Sequence, residues 1–200
     1  MTSPVAAGTF VCVVGPSGAG KDTLIRLARL ELGARPGFLF PRRLITRQKS
    51  PFEDHEILSP DEFDAGMRAG RFALHWRAHG LSYAIDHSVV PALAAGATVV
   101  CNISLEALPV AREKFNDVKI VAITAPEAVL AARLAARGRE SPEAMSERLA
   151  RNDSFAADQS KDAAPDVTIS NAGRPEDAAK ALAAFLVTVR ERKNADHPFR

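Results

Sequence analysis

The sequence predicts an α/β fold, a five-stranded parallel sheet with helices on both faces, and three observations carry that prediction. Apolar, mostly β-branched runs at 10–14, 98–101, 118–124 and 167–169, with a further short run at 38–45, alternate with stretches of helical periodicity. Runs without polar alternation suit strands covered on both sides by helices. A glycine-rich turn, Gly15-Pro16-Ser17-Gly18-Ala19-Gly20-Lys21, joins the first run directly to the first helix.

That turn has the spacing G-x-x-x-x-G-K in the strand–turn–helix context a phosphate loop requires. Its glycines let successive backbone N–H groups point inward as a concave nest at a helix N-terminus. Lys21 adds a point charge for the β- and γ-phosphates. The loop, Gly15 through Lys21 with Asp22 and Thr23, is therefore read as a nucleoside triphosphate site. The residue after the lysine is normally Ser or Thr, whose hydroxyl reaches Mg²⁺; here it is Asp22. Its carboxylate is open to two readings: a metal ligand, direct or through water, or a charge favoured by the helix N-terminus.

The elements follow in order. Leu24, Ile25, Leu27, Ala28 and Leu32 fall on one face of the first helix, and Gly33 and Pro36-Gly37 break the chain after it. A strand is expected over 38–45, ending in Thr46-Arg47, followed by a polar loop to Glu56 and a short strand at Ile57-Leu58. Ser59 or Pro60 opens a helix with Glu62 in its first turn and Phe63 and Met67 on its apolar side. Alternation of Phe72, Leu74 and Trp76 predicts a half-buried strand, which His79-Gly80 turns back into a partner over 81–85. Residues 41–86 thus read as a small α+β insertion. The core, about 8–40 and 87–190, then resumes with a helix over 105–115 and another beginning at Pro126. A closing helix begins at Pro175 and carries Ala179, Leu182, Ala183, Leu186 and Val189 as its apolar stripe.

Two hundred residues, 46% of them hydrophobic, suffice for one domain with its own core. A net charge of +2, spread along the chain, calls for neither a nucleic-acid nor a membrane partner. Arginine supplies nineteen of the 26 basic residues; it suits bidentate phosphate recognition, but alanine-rich composition accounts for much of the excess, so only arginines inside a motif count. Cys12 and Cys101 fall in buried strands as reduced thiols. The first eight residues resemble no signal peptide, and no apolar run approaches the ~20 residues of a membrane span. A cytoplasmic chain is expected, with monomer or homodimer left open.

Phosphoryl transfer is suggested by a second arginine-bearing segment. Arg133 and Arg137 are four apart on one helix face, Gly138 permits a break beyond them, and Arg148 and Arg151 lie on the next predicted helix. A short lid at about 137–147 bearing such residues supplies charge stabilisation and excludes water. The competing reading is an exposed helix with arginines paired to Glu140, Glu143 and Glu147. Arg47 reads as an anion clamp on an acceptor phosphate. His75 and His79 have no third ligand at metal-binding spacing, and Trp76 is more often core than ligand stack.

Taken together, the phosphate loop, Thr46-Arg47, the Tyr83 region, the Arg133–Glu140 segment and Asn171 resemble the guanylate-kinase-like P-loop kinases. Within that fold the chain is similar to the ribose 1,5-bisphosphate phosphokinases of phosphonate utilisation, which share Lys21-Asp22, Ile45-Thr46-Arg47, His55-Glu56, the stretch from Trp76 to Tyr83, and Asn102. Guanylate kinases carry a second arginine where Ser50 stands, and differ at Asp54-His55-Glu56 and at Asn102-Ile103-Ser104. The resemblance covers about residues 8–190. It implies an ATP-dependent phosphotransferase that converts ribose 1,5-bisphosphate to 5-phospho-α-D-ribose 1-diphosphate with Mg²⁺. The implied roles are catalysis by Lys21, Arg47, Arg137 and Arg148; ATP binding by the loop, Arg133 and Asn171; and acceptor binding by Arg43, Arg47, His55, Glu56, Trp76, His79, Tyr83 and Asn102. Asp22 is the metal candidate. The alternatives are a kinase acting on GMP and a non-catalytic guanylate-kinase-like interaction module, against which Lys21 and the arginine lid speak.

Overall fold

The computed structural model describes residues 8–48, 54–78, 80–136 and 164–195. In chain order the elements are β1 (Thr9–Val14), α1 (Lys21–Leu32), β2 (Phe38–Leu39), β3 (Arg43–Ile45), β4 (His55–Ile57), α2 (Pro60–Arg68), β5 (Phe72–Ala78) and β6 (Leu81–Asp86). There follow α3 (Val89–Ala94), β7 (Thr98–Asn102), a 3₁₀ turn (Leu105–Ala107), α4 (Leu108–Lys114), β8 (Val118–Thr124), α5 (Glu127–Ala136), β9 (Val167–Ser170) and α6 (Pro175–Ala195).

Every residue of β1 is buried. Strand alternation sends Phe10, Cys12 and Val14 to one face and Val11 and Val13 to the other, and the two sets join separate core clusters. On the first face Phe10 stacks on Phe115 with ring centroids 4.3 Å apart. On the second, Leu24, Ala28 and Leu32 of α1 meet Leu182, Ala183 and Leu186 of α6. The sheet order is β2-β7-β1-β8-β9, and every pair is parallel. All carboxyl ends therefore point the same way. Ligands in such sheets bind at that edge, where the loop after β1, Asn102 at the end of β7 and Asn171 just after β9 all lie.

A second sheet of four strands, in the order β4-β3-β6-β5, holds β3 and β4 in parallel and the remaining pairs antiparallel. Phe63, Leu44, Leu58, Phe72 and Ala84 make its own core with α2. The strand expected over 38–45 is in fact two. β2 belongs to the five-stranded sheet and β3 to the four-stranded one, with Pro41 between them. Proline has no N–H to give a ladder, so the chain leaves one sheet there and enters the other. The helix expected over 105–115 likewise divides. Pro109 is tolerated only in the first turn of an α-helix, so α4 begins at Leu108 and a 3₁₀ turn precedes it. The strand expected at Ile57-Leu58 runs instead over His55–Ile57. α3 was not anticipated; it spans six residues, too few to show a period. Among the described residues no helix is long and apolar enough to cross a membrane.

Candidate active site

Three glycines shape the phosphate loop. Gly15, Gly18 and Gly20 have φ of 148°, 87° and 88°, a region that only glycine enters freely. A Cβ on Gly15 would also collide with the Ile123 carbonyl. Gly20 is the N-cap of α1 and offers no side chain to its first N–H groups. A helix start left uncapped in this way is suited to an anion. Lys21 opens α1 and curls back over the loop, its Nζ donating to the carbonyls of Gly15 at 2.6 Å and Pro16 at 3.0 Å. Backbone carbonyls thus help hold the ammonium at the loop.

Two residues brace the loop from outside. Asn171 is 2% exposed and donates from Nδ2 to the Ala19 carbonyl at 2.7 Å. Arg133, on α5, donates to the carbonyls of Asn171 at 3.0 Å and Gly18 at 3.4 Å. Both were expected to bind ATP. The structure sets them against the loop backbone, and Asn171 Oδ1 is buried with no hydrogen-bond partner among the described residues.

Asp22 acquires partners that neither reading of it named. Arg43 Nη2 donates to both of its oxygens, at 3.1 and 3.2 Å, and Asn102 Nδ2 donates to Oδ1 at 3.0 Å. Asp22 therefore ties the first turn of α1 to the start of β3 and the end of β7. Beside these groups, burial pushes the Cys101 thiol up to about 12, so it is an inert core group rather than a nucleophile.

On the four-stranded sheet, Arg47 follows β3 and is half-buried. The fully buried His55 donates from Nε2 to the Arg47 carbonyl at 3.2 Å. A carbonyl can only accept, so the proton is on Nε2; Nδ1 is buried without a partner among the described residues. Thr46 exchanges hydrogen bonds with the Ser82 backbone and pins the end of β3 to β6. His55 was expected to touch the acceptor. Its burial gives it a different position, behind the Arg47 backbone. Glu56 is exposed and lies 3.9 Å from Arg42, which also pairs with Asp54. Trp76 is 6% exposed and stacks on Tyr83 at 5.2 Å with the rings 7° apart, so it sits in the core. Tyr83 is half-buried. His75 is pushed below the usual histidine range by burial and by Lys114 and Arg77, which favours its neutral form. His79, Arg137, Arg148 and the whole segment 137–147 lie outside the described residues.

The site thus gathers the loop, Lys21, Asp22, Arg43 and Asn102 directly, with Arg133 and Asn171 behind the loop and His55 behind Arg47. What sequence reasoning missed is the pairing of Asp22 with Arg43 and Asn102. The only signal for it was the replacement of Ser or Thr by a charge whose counter-charge had to be found elsewhere.

No family model matches the chain. It is 48% identical over 179 residues to a ribose 1,5-bisphosphate phosphokinase PhnN of Methylobacterium radiotolerans, covering 90% of this chain and 97% of that protein. It is 46% identical over 174 residues to the protein of the same name in Rhodopseudomonas palustris, covering 87% and 86% respectively. The chain belongs to the ribose 1,5-bisphosphate phosphokinase family. The guanylate kinase of Anaplasma phagocytophilum superposes on this chain with a TM-score of 0.63, over 98% of each chain at 16% identity. That likeness establishes the P-loop kinase fold and leaves the acceptor to be argued from the site.

Proposed function

We propose that the chain transfers the γ-phosphoryl group of ATP to ribose 1,5-bisphosphate, giving ADP and 5-phospho-α-D-ribose 1-diphosphate. The single observation that carries this reading is near-half identity to phosphokinases of that name along almost the whole chain. The geometry is consistent with it: cationic groups stand on both sides of the loop, Lys21 on the nucleotide side and Arg43 on the side of the four-stranded sheet.

An oxygen of the acceptor's 1-phosphate attacks the γ-phosphorus of ATP, the bond to the β-phosphate bridging oxygen breaks, and ADP leaves. The attacking oxygen is already ionised, so no protein base is required. The protein's part is positioning and charge stabilisation. Lys21 and the loop N–H groups hold the donor phosphates. Arg47 neutralises charge on the acceptor side, with Arg137 and Arg148 assigned the same task on sequence alone.

The donor set suits Mg²⁺ rather than a metal caged by protein. Among the described residues no three His, Cys, Asp or Glu side chains cluster, whereas Mg²⁺ keeps several waters and takes one or two carboxylates beside phosphate oxygens. Asp22, the metal candidate from the sequence, is engaged by Arg43 and Asn102, so phosphate oxygens and water would supply most of the ion's ligands. When bound, the ion neutralises the β- and γ-phosphate oxygens.

The test is turnover with ATP and Mg²⁺ on two acceptors, ribose 1,5-bisphosphate and GMP, followed by ADP release and by phosphorus NMR of the diphosphate product. The sugar bisphosphate is expected to exceed GMP by about 10²-fold or more in kcat/KM, since a site lacking purine-directed groups leaves the base unsatisfied. Equal or better turnover of GMP overturns the reading.

A further inference from the structure

We propose that Asp22 is a positioning residue for the acceptor: it holds Arg43 and Asn102 in the orientation in which they receive the sugar phosphate. The inference rests on the function proposed above and deepens it. In a phosphate loop the position after the lysine ordinarily serves the donor's metal. Here, among the described residues, the side chain's hydrogen bonds run the other way, to the start of β3 and the end of β7.

Charge gives the first reason. A carboxylate in the first turn of α1 gains from the helix N-terminus, yet it repels the phosphates that the same N-terminus collects unless a cation offsets it. Arg43 is that cation, and it belongs to the protein. The pair is sheltered, with the Arg43 side chain 11% exposed and the Asp22 side chain 31%. At such depth the attraction exceeds that of a surface pair, and leaving either partner unpaired carries a larger penalty.

Orientation gives the second. Both Arg43 bonds leave one terminal nitrogen, so Asp22 grips the planar guanidinium at one corner and helps fix its plane. A carboxylate only accepts, so Asn102 must turn Nδ2 toward Asp22, and its Oδ1 is thereby turned away from Asp22 as an acceptor for a hydroxyl. One carboxylate thus fixes a phosphate-type donor and a hydroxyl-type acceptor at once. That combination suits a phosphorylated sugar.

The three residues come from helix α1 and from one strand of each sheet. A donor-side shift in α1 would therefore be felt on the acceptor side through Asp22.

The experiment uses Asp22→Asn, Asp22→Ser and Arg43→Lys, with the double variant Asp22→Asn/Arg43→Lys, in the full chain. Four quantities are read: acceptor KM, ATP affinity by calorimetry without acceptor, the Mg²⁺ concentration for half-maximal rate, and Tm. Acceptor KM is taken for whichever of ribose 1,5-bisphosphate and GMP the parent prefers, so failure of the proposed function and failure of this inference remain distinguishable. Both Asp22 variants are expected to raise acceptor KM about 10-fold or more, with ATP affinity and magnesium dependence within a factor of about two. The double variant should be little worse than the poorer single one, as for residues acting as a unit. The inference is overturned if acceptor KM stays within a factor of about two in Asp22→Ser, which keeps a hydroxyl suited to a phosphate loop and serves as the folding-safe variant. It is equally overturned if Asp22→Asn shifts the magnesium dependence and Asp22→Ser restores it, since Asp22 would then serve the metal.

Discussion

The phosphate loop takes its form from Gly15, Gly18 and Gly20 within a single turn of chain, whereas the Asp22 cluster joins side chains 21 and 80 positions apart. On the loop side the groups that matter are backbone N–H and C=O, and even Lys21 is held by the carbonyls of Gly15 and Pro16. On the other side they are side chains from the four-stranded sheet and β7, each held by another side chain or by a buried ring. A backbone-built nest is insensitive to distant substitutions, because local φ/ψ values fix it. A site assembled from side chains depends on every contact that orients them. The donor end should therefore fail through loss of a single charge, and the acceptor end through loss of support.

The largest effect belongs to the donor end. Lys21→Met removes the ammonium without disturbing the glycines, and kcat should fall by about 10²- to 10³-fold, as when one transition-state donor is lost. Its half-buried Nζ bonds to the carbonyls of Gly15 and Pro16 in the loop itself, so Tm and acceptor KM should scarcely move. Steady-state kinetics with a thermal melt decide it. A large rise in acceptor KM would show that the two ends are not separable.

His55 tests the acceptor end in the opposite way. It is fully buried, touches the Arg47 carbonyl and lies behind the backbone. His55→Ala should cost about 1–3 kcal/mol in urea unfolding, from a lost hydrogen bond and a vacated volume. It should also raise acceptor KM, because the Arg47 backbone loses its tether, while ATP affinity holds. His55→Gln, which keeps an N–H donor, should recover part of both. If stability falls and acceptor KM does not, Arg47 is positioned by other contacts, and support from behind is not how this end is built.

The same contrast explains what could be read from the sequence. Gly15 to Lys21 is contiguous and its strand–turn–helix context is local, so the loop is legible; so are the apolar run 10–14 and the Leu182–Leu186 stripe, which the structure buries as expected. Prolines set the boundaries that hydrophobic periodicity alone misplaces. Pro41 divides β2 from β3, and Pro109 sets where α4 begins. The Asp22 partnership was not legible, because Arg43 lies 21 positions further along the chain and nothing between them specifies that it will meet α1. The place of His55 was not legible either: it is fully buried and bonds the Arg47 carbonyl, a contact across a polar loop that the motif does not specify.

The smallest expected effect lies in a part of the acceptor region that is local and was legible. Ser59 caps α2: its Oγ accepts from Glu62 N at 3.1 Å, while Glu62 Oε2 accepts from Ser59 N at 2.7 Å. Such a box satisfies two backbone donors reciprocally. Ser59→Ala should lower Tm by about 2–4 °C, the usual consequence of losing one cap in a chain of this size. The Ser59 hydrogen bonds hold the Glu62 carboxyl below its ordinary value. A carboxylate whose folded value is depressed contributes stability above its unfolded value and loses it as pH falls through the folded one. The Tm gap between the parent and Glu62→Gln should therefore be present at neutral pH and shrink through the carboxylate range, below about pH 4.5. Acceptor KM at neutral pH should be unchanged in both variants, since α2 supports the sheet through Phe63 rather than through its cap. Melts from pH 3 to 7, about one unit apart, with KM at pH 7, give the answer. A cap variant that raised acceptor KM as His55→Ala is expected to do would mean that local and long-range support in this region cannot be told apart.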